Sequence, residues 1–312
     1  MAQMYLKNMK ICIIIKKIST FVKNHTIMEI EKAHDMTNEE YHGDTSRISK
    51  SGLVLLLRSP LHYWQNYLNP QRPEKKETPA LFNGTAIHMA LLEPELFKET
   101  YLVFDDSEKC AEIGGASPRS TKKYKDWYVE FVHDNEGKKL LDKDQYSMIL
   151  AIVSAVKKRP VESELLAEGW AEKTLLFKDN STGCPLKVRP DWISKRGFIV
   201  DIKSTEDASA EEFGKTCINY GYDIQAALYS DGYKEVFGEQ PQGFIFIAVE
   251  KQAPHGVAIY YAPKEMIDLG RKKYKQACAI YTTCKSIKSW PGYPEEVLPV
   301  KLPGWAFTNF NN

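Results

Sequence analysis

The chain has 312 residues, 43% of them hydrophobic and 27% charged, with a formal net charge of +1. This is the balance of an ordinary soluble globular protein with one sizeable core, and it excludes a uniformly basic coat, so any surface for nucleic acid must be local. Six cysteines are scattered without the spacing of a secreted disulfide framework, which favours a reducing cytosol and free thiols, and Cys278 and Cys284 have no CxxC beside them to complete an iron–sulfur ligand set.

Residues 1–25 are rich in Lys, Ile and Met. Their apolar run, Ile11–Ile15, stops at Lys16 and Lys17, far short of the roughly 20 residues that cross a bilayer, and no small-residue cleavage site follows, so no membrane partner is expected. The segment reads as an extra helix or strand, or a poorly ordered extension, with Met28 and Met36 as alternative starts. Residues 1–44 are therefore set apart as an N-terminal extension.

From Arg47 the pattern becomes regular. Ser49 or Ser51 caps an apolar helix over Gly52–Leu57, and Ser59 opens a second helix with Pro60 at its first position. One account makes these plain packing helices. The other makes the free N–H groups, the hydroxyls and Arg58 a pocket for a terminal DNA phosphate. Residues Asn69–Pro79 read as a charged linker. After it, Gly84-Thr85-Ala86 permits close backbone approach, and His88 lies in an apolar helix that Pro94 ends. A lone histidine there is ordinarily a hydrogen-bonded core residue; the acidic hairpin downstream makes it a candidate ligand.

Residues 105–135 are polar, with a basic and aromatic patch over Pro118–Trp127. This reads either as a solvated loop leading into a helix or as phosphate contacts through Lys122 and Lys123 beside stacking rings. Asp142–Lys158 has helical spacing through Tyr146, Ile149, Leu150, Val153 and Val156.

Three strands are expected next: Glu172–Asp179, Leu186–Trp192 and Phe198–Lys203, joined by turns at Ser181-Thr182-Gly183 and Lys195-Arg196-Gly197. In the second hairpin, Asp191 and Asp201 face each other across paired strands. Side-chain alternation puts Asp201 and Lys203 on one face and Ile202 in the core. A divalent cation needs clustered oxygen ligands, and a phosphodiester under attack needs positive charge beside the water; the hairpin supplies both. Helices start at Ala210 and Tyr222, and in the latter Gln225 and Tyr229 share a face. Phe244–Val249 and Val257–Tyr261 read as strands, followed by a helix from Lys264 to roughly Thr282 and a Pro-rich stretch around Trp290–Tyr293. The organised part is thus one domain over 45–295, with 296–312 as a tail.

A helix with His, three strands carrying Asp and Asp-x-Lys, a helix with Gln-x-x-x-Tyr, then a strand: this order resembles the PD-(D/E)XK nuclease superfamily. Gly84-Thr85-Ala86-Ile87-His88, Arg189-Pro190-Asp191-Trp192, Asp201-Ile202-Lys203 and Gln225-Ala226-Ala227-Leu228-Tyr229 resemble its RecB-like branch. Together with Ile48-Ser49-Lys50-Ser51-Gly52-Leu53, Ser59-Pro60-Leu61-His62-Tyr63 and Leu92-Glu93-Pro94, the wording is similar to the RecE-type phage exodeoxyribonucleases (exonuclease VIII C-terminal domain) over about residues 45 to 295.

The resemblance implies an α/β fold with a restriction-endonuclease-like core, a central mixed β-sheet flanked by helices. It implies Mg²⁺, with Mn²⁺ able to substitute, held by His88, Asp191, Asp201 and the backbone carbonyl of Ile202. Lys203 would stand next to the nucleophilic water, and Gln225 and Tyr229 would hold substrate or the lysine. Glu172 is either a water-mediated ligand or a solvated strand end; Arg189 either contacts phosphate or pairs with an acid on the sheet. Also implied are degradation of linear double-stranded DNA from its ends, 5′ to 3′, and a ring-shaped homo-oligomer, a tetramer. A RecT-type single-strand annealing protein would be the partner, in the cytoplasm of a bacterial host carrying the phage or prophage. Two rivals remain: a RecB-like nuclease for single strands or flaps, with the same ligands, and an end-binding module that loads the annealing protein without catalysis.

Overall fold

The computed structural model describes residues 30–73 and 76–302. The apolar run Ile11–Ile15, the start proposed at Met28 and the last ten residues of the expected tail lie outside the described residues.

Thr37 begins α1 (Asn38–Gly43). Its hydroxyl accepts from the Glu40 N–H at 3.1 Å while the Glu40 carboxylate accepts from the Thr37 N–H at 2.7 Å, a reciprocal box that satisfies two otherwise orphaned donors. The apolar run after Ser49 forms α2 (Lys50–Arg58), and Pro60 starts α3 (Pro60–Tyr63), where its missing N–H costs no hydrogen bond. Ser49 and Ser59 occupy cap positions without side-chain cap bonds. Next comes α4 (Pro79–Leu92), whose N-cap Thr78 accepts from the Leu81 N–H, so Pro79 opens a helix and does not close the linker. It is followed by α5 (Pro94–Thr100), β1 (Tyr101–Val103), α6 (Ser107–Ile113), α7 (Lys122–Asp134), β2 (Lys139–Leu141), α8 (Lys143–Lys157) and α9 (Pro160–Ala167). The polar region 105–135 is therefore largely helical, and the patch expected either as a loop leading into a helix or as a phosphate contact runs into α7. Asp106, Arg119 and Tyr124 clamp it together by ion pair and hydrogen bond.

The chain continues through β3 (Gly169–Ala171), β4 (Leu175–Lys178), β5 (Pro185–Val188), β6 (Trp192–Ser194), β7 (Phe198–Thr205), α10 (Ala210–Asn219), α11 (Tyr222–Phe237), β8 (Gly243–Glu250), β9 (Val257–Tyr261) and α12 (Lys264–Ile287). The central sheet has the order β3-β6-β7-β8-β9; β7 and β8 are parallel and the other neighbours antiparallel. Parallel strands need a long crossover, and α10 with α11 provides it.

Alternation along β7 and β8 sends successive side chains into two different cores. Ile199, Phe244, Phe246 and Ala248 pack with Leu53 and Leu56 of α2, Ala226 to Leu228 of α11 and Ala277 of α12. Val200, Ile202, Ile245 and Ile247 pack with Ile87 and Ala90 of α4 and Ile149, Ile152 and Val156 of α8. This is the expected mixed sheet with helices on both faces. On α8 the buried stripe runs through Ile152, leaving Leu150 45% exposed.

Two of the expected strands are broken, for local reasons. The strand predicted over Glu172–Asp179 is regular only from Leu175; Glu172 has φ +50°, a left-handed bend that turns the chain out of the central sheet. The strand predicted over Leu186–Trp192 divides at Arg189–Asp191, because Pro190 has no N–H for a ladder, and its halves β5 and β6 join different sheets. The two bends are bonded to each other through the Glu172 N–H and the Asp191 carbonyl at 3.1 Å.

The described part of the expected extension is folded onto the core. His34 and Thr174 exchange backbone hydrogen bonds at 2.8 and 2.9 Å, Ile30 and Ala33 pack against the core, and buried Lys187 donates to the carbonyls of Tyr41 and Asp44. A buried ammonium needs such acceptors, which ties residues 36–44 to β5. Among the described residues no helix is long and apolar enough to cross a membrane.

The helices α11 and α12 approach so closely that a Cβ on Gly270 would lie 1.9 Å from the Asp223 carbonyl oxygen. Gly270→Ala is therefore expected to destabilise the fold by about 3 kcal/mol, the upper part of the usual overpacking range. A urea midpoint equal to that of the wild type would show the crossing to be looser than this.

Candidate metal centre

Four segments converge where the β6–β7 ladder of the central sheet ends: α4 brings His88, the bend after β3 brings Glu172, the bend before β6 brings Asp191, and β7 brings Asp201 and Lys203. One ligand-type atom from each of His88, Glu172 and Asp191 lies within 4.8 Å of the others. His88 Nδ1 is 3.4 Å from Asp191 Oδ2, and that oxygen also accepts the Ile202 N–H at 2.7 Å. The β6–β7 ladder runs only to Trp192↔Val200, so the next N–H on that edge of β7 is left for a side chain. Within a strand, the N–H and C=O of one residue leave by the same edge. The Ile202 carbonyl is thereby directed to the Asp191 side of β7.

Asp201 stands beside this trio, not within it. It is fully buried, its Oδ1 accepting from Gln225 Nε2 at 2.5 Å and its Oδ2 lying 2.5 Å from Lys203 Nζ. Gln225 thus grips the carboxylate that holds the lysine, a more specific place than substrate or lysine alone. Tyr229, one turn further on α11, is buried near the same acids, and burial pushes its phenol well above the ordinary value.

Glu172 joins the trio because of the bend. Its Oε2 lies 3.2 Å from Arg189 Nε, and the Arg189 guanidinium also lies 4.3 Å over the Tyr41 ring. Burial, then the charge of Asp191, pushes the Glu172 carboxyl up to about 8 against the opposing Arg189, and Glu93 at the end of α4 adds further negative charge. Burial, then Asp191, likewise raises Asp201 to about 6, opposed by Lys203. Burial works against the charge of Lys203 too, but Asp201 and Asp191 outweigh it and hold the ammonium above its ordinary value. Lys203 is accordingly a donor and a cation, not a base.

Burial and the mutual repulsion of these acids raise their carboxyls, and a cation bound among them would relieve that repulsion. An imidazole and several carboxylate oxygens aimed at one point are a donor set that fits a hard divalent ion such as Mg²⁺ or Mn²⁺. His88, Glu172 and Asp191 would hold it, with Asp201 and the Ile202 carbonyl adjoining.

The residues proposed for DNA are more dispersed. Ser49 and Ser51 are at the start of α2 and Arg58 at its end, roughly 12 Å away along the axis, where Arg58 donates to the Tyr293 hydroxyl. Lys123 is paired with Glu112 at 2.8 Å, and Lys122 is exposed at the start of α7. Two residues next to the site escaped the sequence reading: Tyr222, whose ring lies 4.5 Å from Lys203 Nζ, and Lys50. Tyr222 is three residues before Gln225 and so shares its helix face; Lys50 lies between Ser49 and Ser51, in the stretch already considered for phosphate.

A helix-flanked mixed sheet whose Pro-Asp bend and Asp-x-Lys strand meet at one edge defines the PD-(D/E)XK-like nuclease superfamily fold. The chain belongs to the family described as PDDEXK-like domain of unknown function (DUF3799), whose profile matches residues 49–302. Its structure is similar to that of a "putative exonuclease" from Eubacterium rectale, with a TM-score of 0.56 and 16% identity over 88% of this chain and 98% of that one. The protein SSO0001 gives a TM-score of 0.25 at 16% identity over 62% of this chain and 85% of that one, too slight a likeness to support an argument. No curated protein matches in sequence.

Proposed function

We propose that this chain is a Mg²⁺-dependent exodeoxyribonuclease that degrades linear double-stranded DNA from its ends, 5′ to 3′, leaving 3′ single strands for annealing. The observation that carries this reading is the charged Lys203, held by Asp201 beside the His88–Glu172–Asp191 trio. A bound divalent ion would lower the pKa of its water and neutralise charge on the scissile phosphate. The protein's own groups do the positioning. Gln225 fixes Asp201, Asp201 fixes Lys203, and the lysine ammonium can donate to the attacking water or to a phosphate oxygen as negative charge builds there. Asp191 is locked by the Ile202 N–H, so the trio is oriented before substrate arrives.

Attack on duplex ends, the strand polarity, a ring-shaped tetramer, a RecT-type annealing partner and a bacterial host cytoplasm follow from the motif resemblance to RecE-type enzymes. The structurally similar protein from Eubacterium rectale is itself described as a "putative exonuclease". Linear duplex labelled at either terminus, closed circular duplex, single strand and flap substrates, each with Mg²⁺, test the reading. Early loss of the 5′ label from linear duplex, with the circle spared, is expected. Preference for single strands or flaps would substitute the other RecB-like activity, and end binding without nucleotide release would substitute the loading module.

A further inference from the structure

Lys203 shares its aromatic neighbour with a second ammonium. The Tyr222 ring at the start of α11 lies 4.5 Å from Lys203 Nζ and 5.2 Å from Lys50 Nζ, two lysines far apart in sequence. Lys50 is the first residue of α2, half-buried, and its Nζ donates to the Tyr220 carbonyl at 2.6 Å, at the end of α10.

A plain account would make Lys50 a cap on α10, a cation on a helix's last carbonyls. The surroundings argue for more. Burial, then the charge of Lys203, brings the Lys50 ammonium down to about 8, with Asp201 and Asp223 pulling the other way. Asp201 is already paired with Lys203, and Asp223 with Lys273 at 2.5 Å. A capping lysine gains nothing from a place where a second ammonium repels it. Two ammonium groups against one ring, with their nearby carboxylates engaged, are instead suited to an anion with more than one acceptor oxygen.

We propose that Lys50 contacts a backbone phosphate of the DNA strand next to the phosphate being cleaved, with the Tyr222 ring setting its position relative to Lys203. This rests on the nuclease reading and names a substrate contact for that same site. Lysine suits the task because its compact charge sits on a flexible stem. In the absence of DNA the Tyr220 carbonyl holds it; with DNA present the ammonium turns to the phosphate, and the α10 carbonyl is left to water.

The test uses the full chain and two variants. Lys50→Gln keeps a donor for the Tyr220 carbonyl but removes the charge, and Lys50→Arg keeps the charge. Binding of a fluorescent linear duplex in EDTA, where nothing is cleaved, is measured against salt concentration, and cleavage in Mg²⁺ is measured separately. For Lys50→Gln, binding should weaken about fivefold at 0.1 M salt and the log–log salt slope should shrink by about 0.9, the value of one lost phosphate contact. KM should rise with kcat within about twofold, and Lys50→Arg should restore the slope. A Lys50→Gln protein with the wild-type slope and KM, while the wild type binds and cleaves, would overturn the proposal and leave Lys50 as a helix cap. So would a lowered melting temperature with an unchanged slope. A wild type that neither binds duplex nor releases nucleotides would instead overturn the nuclease reading.

Discussion

Asp191→Asn should lower metal-dependent cleavage by about three orders of magnitude or more while leaving the metal-free fold intact or slightly more stable, since it would remove a ligand and its charge from the ion that, in the proposed mechanism, would activate the water. Asn keeps an oxygen that can accept the Ile202 N–H, now bonded at 2.7 Å, so the edge of β7 stays capped. What disappears is one negative charge from a crowded group, and that charge is a named cause of the raised carboxyls of Glu172 and Asp201. The loss of repulsion favours the metal-free variant, but the same charge is what a divalent ion binds. In the wild type, Mn²⁺ at a hundred times its dissociation constant should add about 2.7 kcal/mol of stability. In Asp191→Asn most of that increment should vanish. Melting curves with and without Mn²⁺, beside cleavage of end-labelled duplex, report both halves. Wild-type cleavage, or an undiminished Mn²⁺ shift, would remove Asp191 from the centre.

Metal-free stability should fall as pH rises from 5 to 8.5, by about 5 °C in melting temperature for a domain of this size. Burial and then the charge of Asp191 push the folded carboxyls of Glu172 and Asp201 up to about 8 and about 6 from their ordinary values of 4.5 and 3.8. Across that window the folded chain therefore holds more protons than the unfolded chain, and stability is lost as pH climbs through the folded values. Carboxylates held below the ordinary range act elsewhere: Asp106, hydrogen-bonded by Arg119 and Tyr124, adds stability as pH rises through about 4 and has finished by pH 5. Mg²⁺ or Mn²⁺ competes with the protons of the centre, so the stabilisation by metal should grow with pH over the same window, and cleavage should rise with it. A metal-free melting temperature that is flat or rising between pH 5 and 8.5 would show the acids to be ordinary.

Much of this site could be read from short stretches. Alternation along a strand places Asp201 and Lys203 together and Ile202 in the core, because the period of two is a property of consecutive residues. The turn at Lys195-Arg196-Gly197 brings Asp191 opposite Asp201, and an apolar helix with one imidazole presents His88. Gln225 and Tyr229 share a face for the same local reason. The central sheet with helices on both sides follows from strands that are apolar on both faces.

Tertiary contacts decided the rest. Glu172 reads as a strand start that is either solvated or a water-mediated ligand, and it enters the trio through a left-handed bend that a non-glycine residue adopts only when its surroundings impose it. The break at Pro190 sets β5 and β6 in different sheets, and the buried ammonium of Lys187 ties residues 36–44 to the domain. Lys50 meets Tyr222 and Lys203 only because α2 packs beside α11. The sequence by itself determined β7, β8 and β9, the helices α2, α8, α10, α11 and α12 and the acidic hairpin, since periodicity and turn chemistry act over a few residues. Which distant charges share one low-dielectric corner depends on how whole helices and bends pack, and no local pattern encodes that.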